Sequence, residues 1–210
     1  MKKIYLHPLP VRIWHWSNAF LIIMLMLTGI QLRIPDIVPF PQYGVVVALH
    51  KYLGYLLTLS FLFWLSYYLF TRGMGKHYIL STGDMKGIPK QALYYTYTFF
   101  RGGKNPFTPS PDAKFNPLQK TSYSSVMFIL MPVIIITGIL FSNILFFFWY
   151  IDMIGGLRVL DAIHVIAGYC FALYFIVHIY MASLGKNITT YVKSMITGYT
   201  EEPDDRDNKR

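Results

Sequence analysis

The chain has 210 residues, of which 54% are hydrophobic, 18% aromatic and only 14% charged, and it carries a formal net charge of +9. Apolar richness on this scale excludes an ordinary water-soluble domain, and the single cysteine, Cys170, excludes a disulfide framework. The excess of lysine and arginine is concentrated in one loop between apolar blocks, a distribution that points to a membrane surface and not to nucleic acid.

A hydrocarbon core about 30 Å thick takes roughly 20 apolar helical residues to cross. Four segments are long enough: 13–32, 44–70, 121–146 and 158–184. They predict an all-α membrane protein, a four-transmembrane-helix bundle forming one domain over residues 1–200. The first span follows Met1-Lys2-Lys3, but it is too long for a signal peptide, opens on Trp14-His15-Trp16 and lacks a small-residue cleavage site. It is therefore expected to stay in the mature protein. It ends near Arg33, before the Pro-rich IPDIVPFPQYG connection that cannot continue a helix. The second span closes on Tyr67, Tyr68 and Thr71-Arg72-Gly73, an aromatic and basic interfacial ending.

The connection to the third span holds Arg72, Lys76, Lys86, Lys90, Arg101, Lys104, Lys114 and Lys120 against Asp84 and Asp112, whereas 33–43 holds only Arg33 and Asp36. Basic loops stay inside, so the loop 73–120 is expected in the cytoplasm. With four spans, both termini are then cytoplasmic and the connections 33–43 and 147–157 face outward. Within the loop, IPKQALYYTYTFF at 88–100 reads as an amphipathic segment on the membrane surface, followed by irregular RGGKNPFTPSPD. The third span has no histidine and contains Pro132, which predicts a kink one turn before it. After the fourth span, KNITTYVKSMITGY reads as a short amphipathic helix, and the polar C-terminal tail 201–210 is expected to be disordered.

Four of the six histidines, His15, His50, His164 and His178, fall within or at the ends of spans one, two and four. Ionisable residues in a membrane are costly and usually functional, although a lone histidine also serves as an interhelical hydrogen-bonding group. His164 and His178 are 14 residues apart, which at about 100° and 1.5 Å per residue sets them roughly 40° apart around the helix and roughly 21 Å apart along it. They share a face at two depths. On the topology above, His50 lies at the outer depth with His164, and His15 at the inner depth with His178. Two imidazoles at one depth on neighbouring helices are what bis-histidine haem b requires. No Cys-x-x-Cys-His is present, so such haem is held without thioether bonds. Gly54 and Gly168 each stand four residues after a histidine, in HKYLG and HVIAG, where a missing side chain leaves room for a flat macrocycle. Glycine is also common in membrane helix contacts; the repeated offset favours haem. Zinc or copper would want three or four ligands converging on one point, and these divide by depth. Arg12, a turn before His15, is placed to pair with a haem propionate or to serve as an interfacial arginine.

RIWHWSNA, LHKYLG, KFNPLQK, the LTGI and ITGI of spans one and three, and IHVIAGY followed by VHIYMA resemble the di-haem cytochrome b subunits of membrane-bound formate dehydrogenases, NiFe hydrogenases and thiosulfate reductases, the prokaryotic cytochrome b561-type proteins. The resemblance covers roughly residues 10–198. It implies that His15, His50, His164 and His178 are axial ligands of two b haems, in the pairs already reached. It also implies a quinone site, menaquinone or ubiquinone, beside the inner haem at KFNPLQK. Asn116 and Gln119 have counterparts in the formate dehydrogenase gamma subunit, while Leu118 holds a backbone-contact position where that relative has glycine. Taken by themselves, Asn116 and Gln119 suit either a quinone carbonyl or a helix cap, and Lys114 and Lys120 suit lipid phosphates or propionates.

The function expected is electron transfer across the bacterial inner membrane, between the quinone pool and a periplasmic iron-sulfur or multihaem cytochrome c subunit that serves a catalytic subunit of a respiratory complex. Two other classes stay open. A haem-free membrane anchor would tolerate loss of the histidines, and a histidine-relay transporter would move protons or metal without partners. Against the transporter, Asp161 is the one carboxylate within the four spans.

Overall fold

The computed structural model describes residues 3–36, 42–110, 113–185 and 187–201. Most of the expected tail at 201–210, and part of the connection at 33–43, lie outside them. Among the described residues, four helices are long and apolar enough to cross a membrane: Leu9–Arg33, Tyr43–Phe70, Pro117–Ser142 and Leu157–Ser183. The all-α, four-span architecture expected from hydropathy is the one observed, with short helices between the spans.

The chain divides into two compact units: one from Ile13–Leu65 and Phe128–Met181, the other from the described residues of Met1–Arg12, Ser66–Met127 and Ala182–Arg210. The first unit is built from most of α1 (Leu9–Arg33), α2 (Tyr43–Phe70), α6 (Met131–Ser142) and α8 (Leu157–Ser183). Its outward side chains are apolar, as a lipid-facing surface requires: Leu27, Ile129 and Ile166 are all exposed. Inside it, Leu160 and Trp64 are 0% and 1% exposed, and Trp64 packs against Trp14, Phe61 and Phe128. Some polar groups in this unit find partners across helices. Trp14 Nε1 donates to the Ser60 carbonyl at 3.0 Å, and Ser60 Oγ donates to Asn18 Oδ1 at 3.1 Å.

The second unit holds the short elements. They are α3 (Gly73–His77), α4 (Thr82–Leu93) with a π turn at Tyr94–Thr98 and a 3-10 turn at Phe99–Arg101, α5 (Pro117–Ser125) and α9 (Thr190–Thr197). Here β1 (Lys3–Tyr5) pairs antiparallel with β2 (Tyr199–Glu201), in the register Lys3 to Glu201 and Tyr5 to Tyr199. Gly198, at φ 87°, ends α9 and turns the chain into β2, and its carbonyl accepts from the backbone N–H of Leu6 and His7.

Three expectations shift. The third span runs over Pro117–Ser142 and not 121–146, because Asn116 and Gln119 form a capping box that starts the helix early. It stops at Asn143, whose backbone leaves helical geometry and whose side chain accepts from the Phe146 N–H, and α7 (Phe148–Met153) occupies the expected outer turn. The amphipathic segment placed at 88–100 begins instead at Thr82, where Ser81 and Asp84 form a second capping box. In place of the kink expected one turn before Pro132, the helix holds a π turn at Val126–Leu130.

Candidate functional site

The four intramembrane histidines fall in one unit and come together in pairs. His15 on α1 and His178 on α8 have ring centres 6.2 Å apart, and His50 on α2 and His164 on α8 have ring centres 6.3 Å apart. Fitness for an iron between them follows from bond lengths. A metal–imidazole nitrogen bond is about 2.0–2.1 Å and the ring centre lies about 1.1 Å beyond the nitrogen, so two imidazoles in line on one metal set their centres roughly 6.3 Å apart. Both pairs have that spacing. Among the described residues, no group of three or more His, Cys, Asp or Glu could hold a metal ion together, so the arrangement suits axial ligation at two points and not a tetrahedral centre.

The surroundings of the His50/His164 pair are repeated on two helices. Thr28 Oγ1 lies 2.8 Å from His50 Nδ1, and Thr137 Oγ1 lies 2.7 Å from His164 Nδ1. Each threonine also donates to the carbonyl four residues before it, Met24 at 2.8 Å and Val133 at 2.7 Å. The glycine after each threonine lies against the same ring: a Cβ on Gly29 would stand 3.4 Å from His50 Cε1, and one on Gly138 would stand 3.5 Å from His164 Cε1. Phe141 packs edge-on against His164, and Tyr174 stacks on His178 in the other pair. At Gly54 and Gly168 a Cβ would meet nothing within 4 Å, so both positions border open space.

Arg12 belongs to the other unit, where its guanidinium donates to the Ile196 carbonyl and its Nε is buried without a hydrogen-bond partner. His7 and His77 also lie there. Burial, then the nearby Lys114 and Arg12, push His7 down to about 4, so it is neutral at physiological pH. His77 is buried edge-on against Tyr68 and Phe115.

The KFNPLQK stretch is occupied by structural bonds. Asn116, 2% exposed, accepts the Gln119 N–H at 2.9 Å and donates to the Tyr95 hydroxyl at 3.0 Å. Gln119 Oε1 accepts the Asn116 N–H in return at 3.2 Å, and Leu118 and Gln119 are half-buried. Burial raises the Tyr95 hydroxyl to about 12, which keeps it a proton donor. A cavity of about 130 Å3 beside this stretch is lined by Lys76, His77, Ser81, Asp84, Lys114 and Lys120, with Phe107, Ala113 and Phe115.

Helical spacing within the fourth span puts His164 and His178 on one face at two depths, and each meets a histidine of another helix. The threonine partners escaped it because they stand on other helices. Their signal was the Thr-Gly step inside LTGI and ITGI, at 28–29 and 137–138, repeated in two spans that each precede a histidine-bearing helix.

A family profile for prokaryotic cytochrome b561 matches residues 6–198. The chain is 32% identical to the "Putative cytochrome YdhU" of Escherichia coli strain K12, over 94% of this chain and 75% of that protein. It is 25% identical to the "Probable Ni/Fe-hydrogenase B-type cytochrome subunit" of Cupriavidus necator, over 95% of this chain and 87% of that protein. With four apolar spans and histidines facing each other inside them, the chain belongs to the prokaryotic cytochrome b561 family and is a multi-pass inner-membrane b-type cytochrome of electron transfer.

Proposed function

We propose that the chain is the transmembrane subunit that carries electrons between the quinone pool and a periplasmic redox partner, with two b haems held by His50/His164 and His15/His178. The observation that carries this reading is the spacing of the two pairs, 6.2 and 6.3 Å between ring centres, each right for one iron between two imidazoles. Open space at Gly54 and Gly168, one helical turn from His50 and His164, would leave room for a flat macrocycle there. When bound, b haem supplies one-electron exchange between ferric and ferrous iron. The chain's own work is to present neutral imidazole nitrogens in pairs and to enclose them in apolar side chains.

The bias of lysine and arginine toward 73–120 supports a cytoplasmic position for that loop and for both termini, with the His50/His164 pair on the periplasmic side. The quinone headgroup is assigned to KFNPLQK, as the resemblance implies. Asn116, Leu118 and Gln119 are its contacts: Leu118 and Gln119 are half-buried, and Asn116 is held in place by its bonds to Tyr95 and Gln119. Arg12 is given to the Ile196 carbonyl, with its remaining N–H groups left for a propionate. The partner is a periplasmic iron-sulfur or multihaem cytochrome c subunit working for a catalytic respiratory subunit, in keeping with the hydrogenase named for the Cupriavidus relative.

The test is a pyridine haemochrome count and a reduced-minus-oxidised spectrum of the purified protein. Two b haems per chain, falling toward one in His50→Ala or His164→Ala, support the reading and its pairing. Protein that folds without haem overturns it in favour of an anchor or a relay.

A further inference from the structure

Resting on the haem reading of the His50/His164 pair, we infer that Thr28 and Thr137 are positioning residues that set the tautomer and the electron-donating strength of both axial ligands of that haem. The argument follows the protons. A threonine hydroxyl has one proton and two lone pairs. In each case Oγ1 lies at bonding distance from a carbonyl four residues back, Met24 at 2.8 Å and Val133 at 2.7 Å, with a second carbonyl at 3.2 Å in both. Carbonyls only accept, so the hydroxyl proton is spent on the helix backbone. The contact to the ring, 2.8 Å for His50 and 2.7 Å for His164, then has to be donated by Nδ1–H to Oγ1. A neutral imidazole has a single N–H, so Nε2 of both rings is left with its lone pair bare.

The glycines complete the device. Gly29 and Gly138 leave the space beside each ring edge open, since a Cβ there would stand 3.4 and 3.5 Å from Cε1 of His50 and His164, and both threonines are buried, at 7% and 5% exposure. In a low-dielectric interior a chain from Nδ1–H through hydroxyl to carbonyl polarises along its length, drawing the Nδ1 proton away and enriching Nε2 in electron density. A richer donor stabilises ferric over ferrous iron. Because the two ligands of one iron carry the same relay, their effects act in the same direction.

The experiment is a redox titration, with electron paramagnetic resonance of the oxidised protein, on Thr28→Val, Thr137→Val, the double variant and the matching Thr→Ser variants. Valine keeps the shape and removes the acceptor. The expected result is two haems per chain in every case, with one of them displaced to higher potential. At a fixed ambient potential its ferrous-to-ferric ratio rises about tenfold per valine, at the lower end of what loss of an outer hydrogen-bond partner does to a metal site. Serine restores the wild-type potential and the second haem stays unmoved. Valine variants that retain two haems with potentials and signals equal to wild type overturn the inference. Wild-type protein without haem, or His50→Ala retaining both haems, overturns the haem reading beneath it instead.

Discussion

Lys120 Nζ and Asp84 Oδ2 lie 2.8 Å apart, joining the first turn of α5 to the first turn of α4. Asp84 also accepts from the Ser81 backbone N–H and hydroxyl, both at 2.8 Å, so one carboxylate closes a helix cap and an ion pair together. Burial by itself raises this carboxyl, but the bonds from Lys120 and Ser81 outweigh it and hold Asp84 below the usual aspartate range.

A carboxyl depressed on folding adds stability that is complete above its unfolded value, about 4. That contribution fades as pH falls through the lower folded value. Asp84→Asn should remove this acid-side dependence and lower stability near neutral pH by about 1 kcal/mol, the size of a lost cap with its charge-assisted bond. Thermal melts of purified wild-type and variant protein between neutral and acid pH check it. Parallel curves at every pH would contradict the assignment.

Gly29 and Gly138 should separate by side-chain size and not by loss of glycine as such. A Cβ at either site would meet a histidine ring at 3.4 or 3.5 Å, ordinary contact, so alanine should keep full haem content. Leucine has to displace His50 or His164 and should lower haem content toward one per chain, read by pyridine haemochrome. His15/His178 should keep its haem in both leucine variants.

Asn116→Ser should distinguish a cap from a ligand contact. Serine can accept the Gln119 N–H and preserve the start of α5, but it cannot donate to the Tyr95 hydroxyl as the amide does. A melting point near wild type, with quinol oxidation or quinone reduction cut severalfold, would give Asn116 or Tyr95 a part in the quinone site. Unchanged turnover alongside Asn116→Ala losing about 1 kcal/mol would leave Asn116 as a cap.

Gly198→Ala should be costlier than an ordinary glycine replacement. The residue sits at φ 87°, and its Cβ would meet the Tyr5 ring at 2.7 Å and the His7 carbonyl at 2.8 Å. Strain in the left-handed region and the need to move backbone add to at least about 1–2 kcal/mol. Faster proteolysis within residues 187–201 is the readout.

The four spans were legible because twenty-odd apolar residues have few uses other than crossing a bilayer. The pairing of His15 with His178, and of His50 with His164, was legible because alternate spans run in opposite directions, so position along a span converts to depth. Helix ends were less so: Ser81 with Asp84 and Asn116 with Gln119 are both readable capping boxes, but hydropathy outvoted them because capping turns are polar. The strands at Lys3–Tyr5 and Tyr199–Glu201 left no sequence signal, since three-residue strands carry no period and their partners are at opposite ends of the chain. Thr28 and Thr137 were hidden for a related reason. A threonine in a membrane helix ordinarily bonds its own backbone, and its second bond, to a ring on another helix, depends on packing that periodicity within one helix does not report.

The small sheet imposes a parity. Backbone hydrogen bonds between β1 and β2 require both strands to occupy one aqueous compartment, so the chain between Tyr5 and Tyr199 crosses the bilayer an even number of times. Four spans meet that condition, whereas three or five would tear the sheet apart. Whichever compartment holds the N-terminal strand therefore holds the C-terminal one, and a side-sensitive reporter fused at either end should return the same answer.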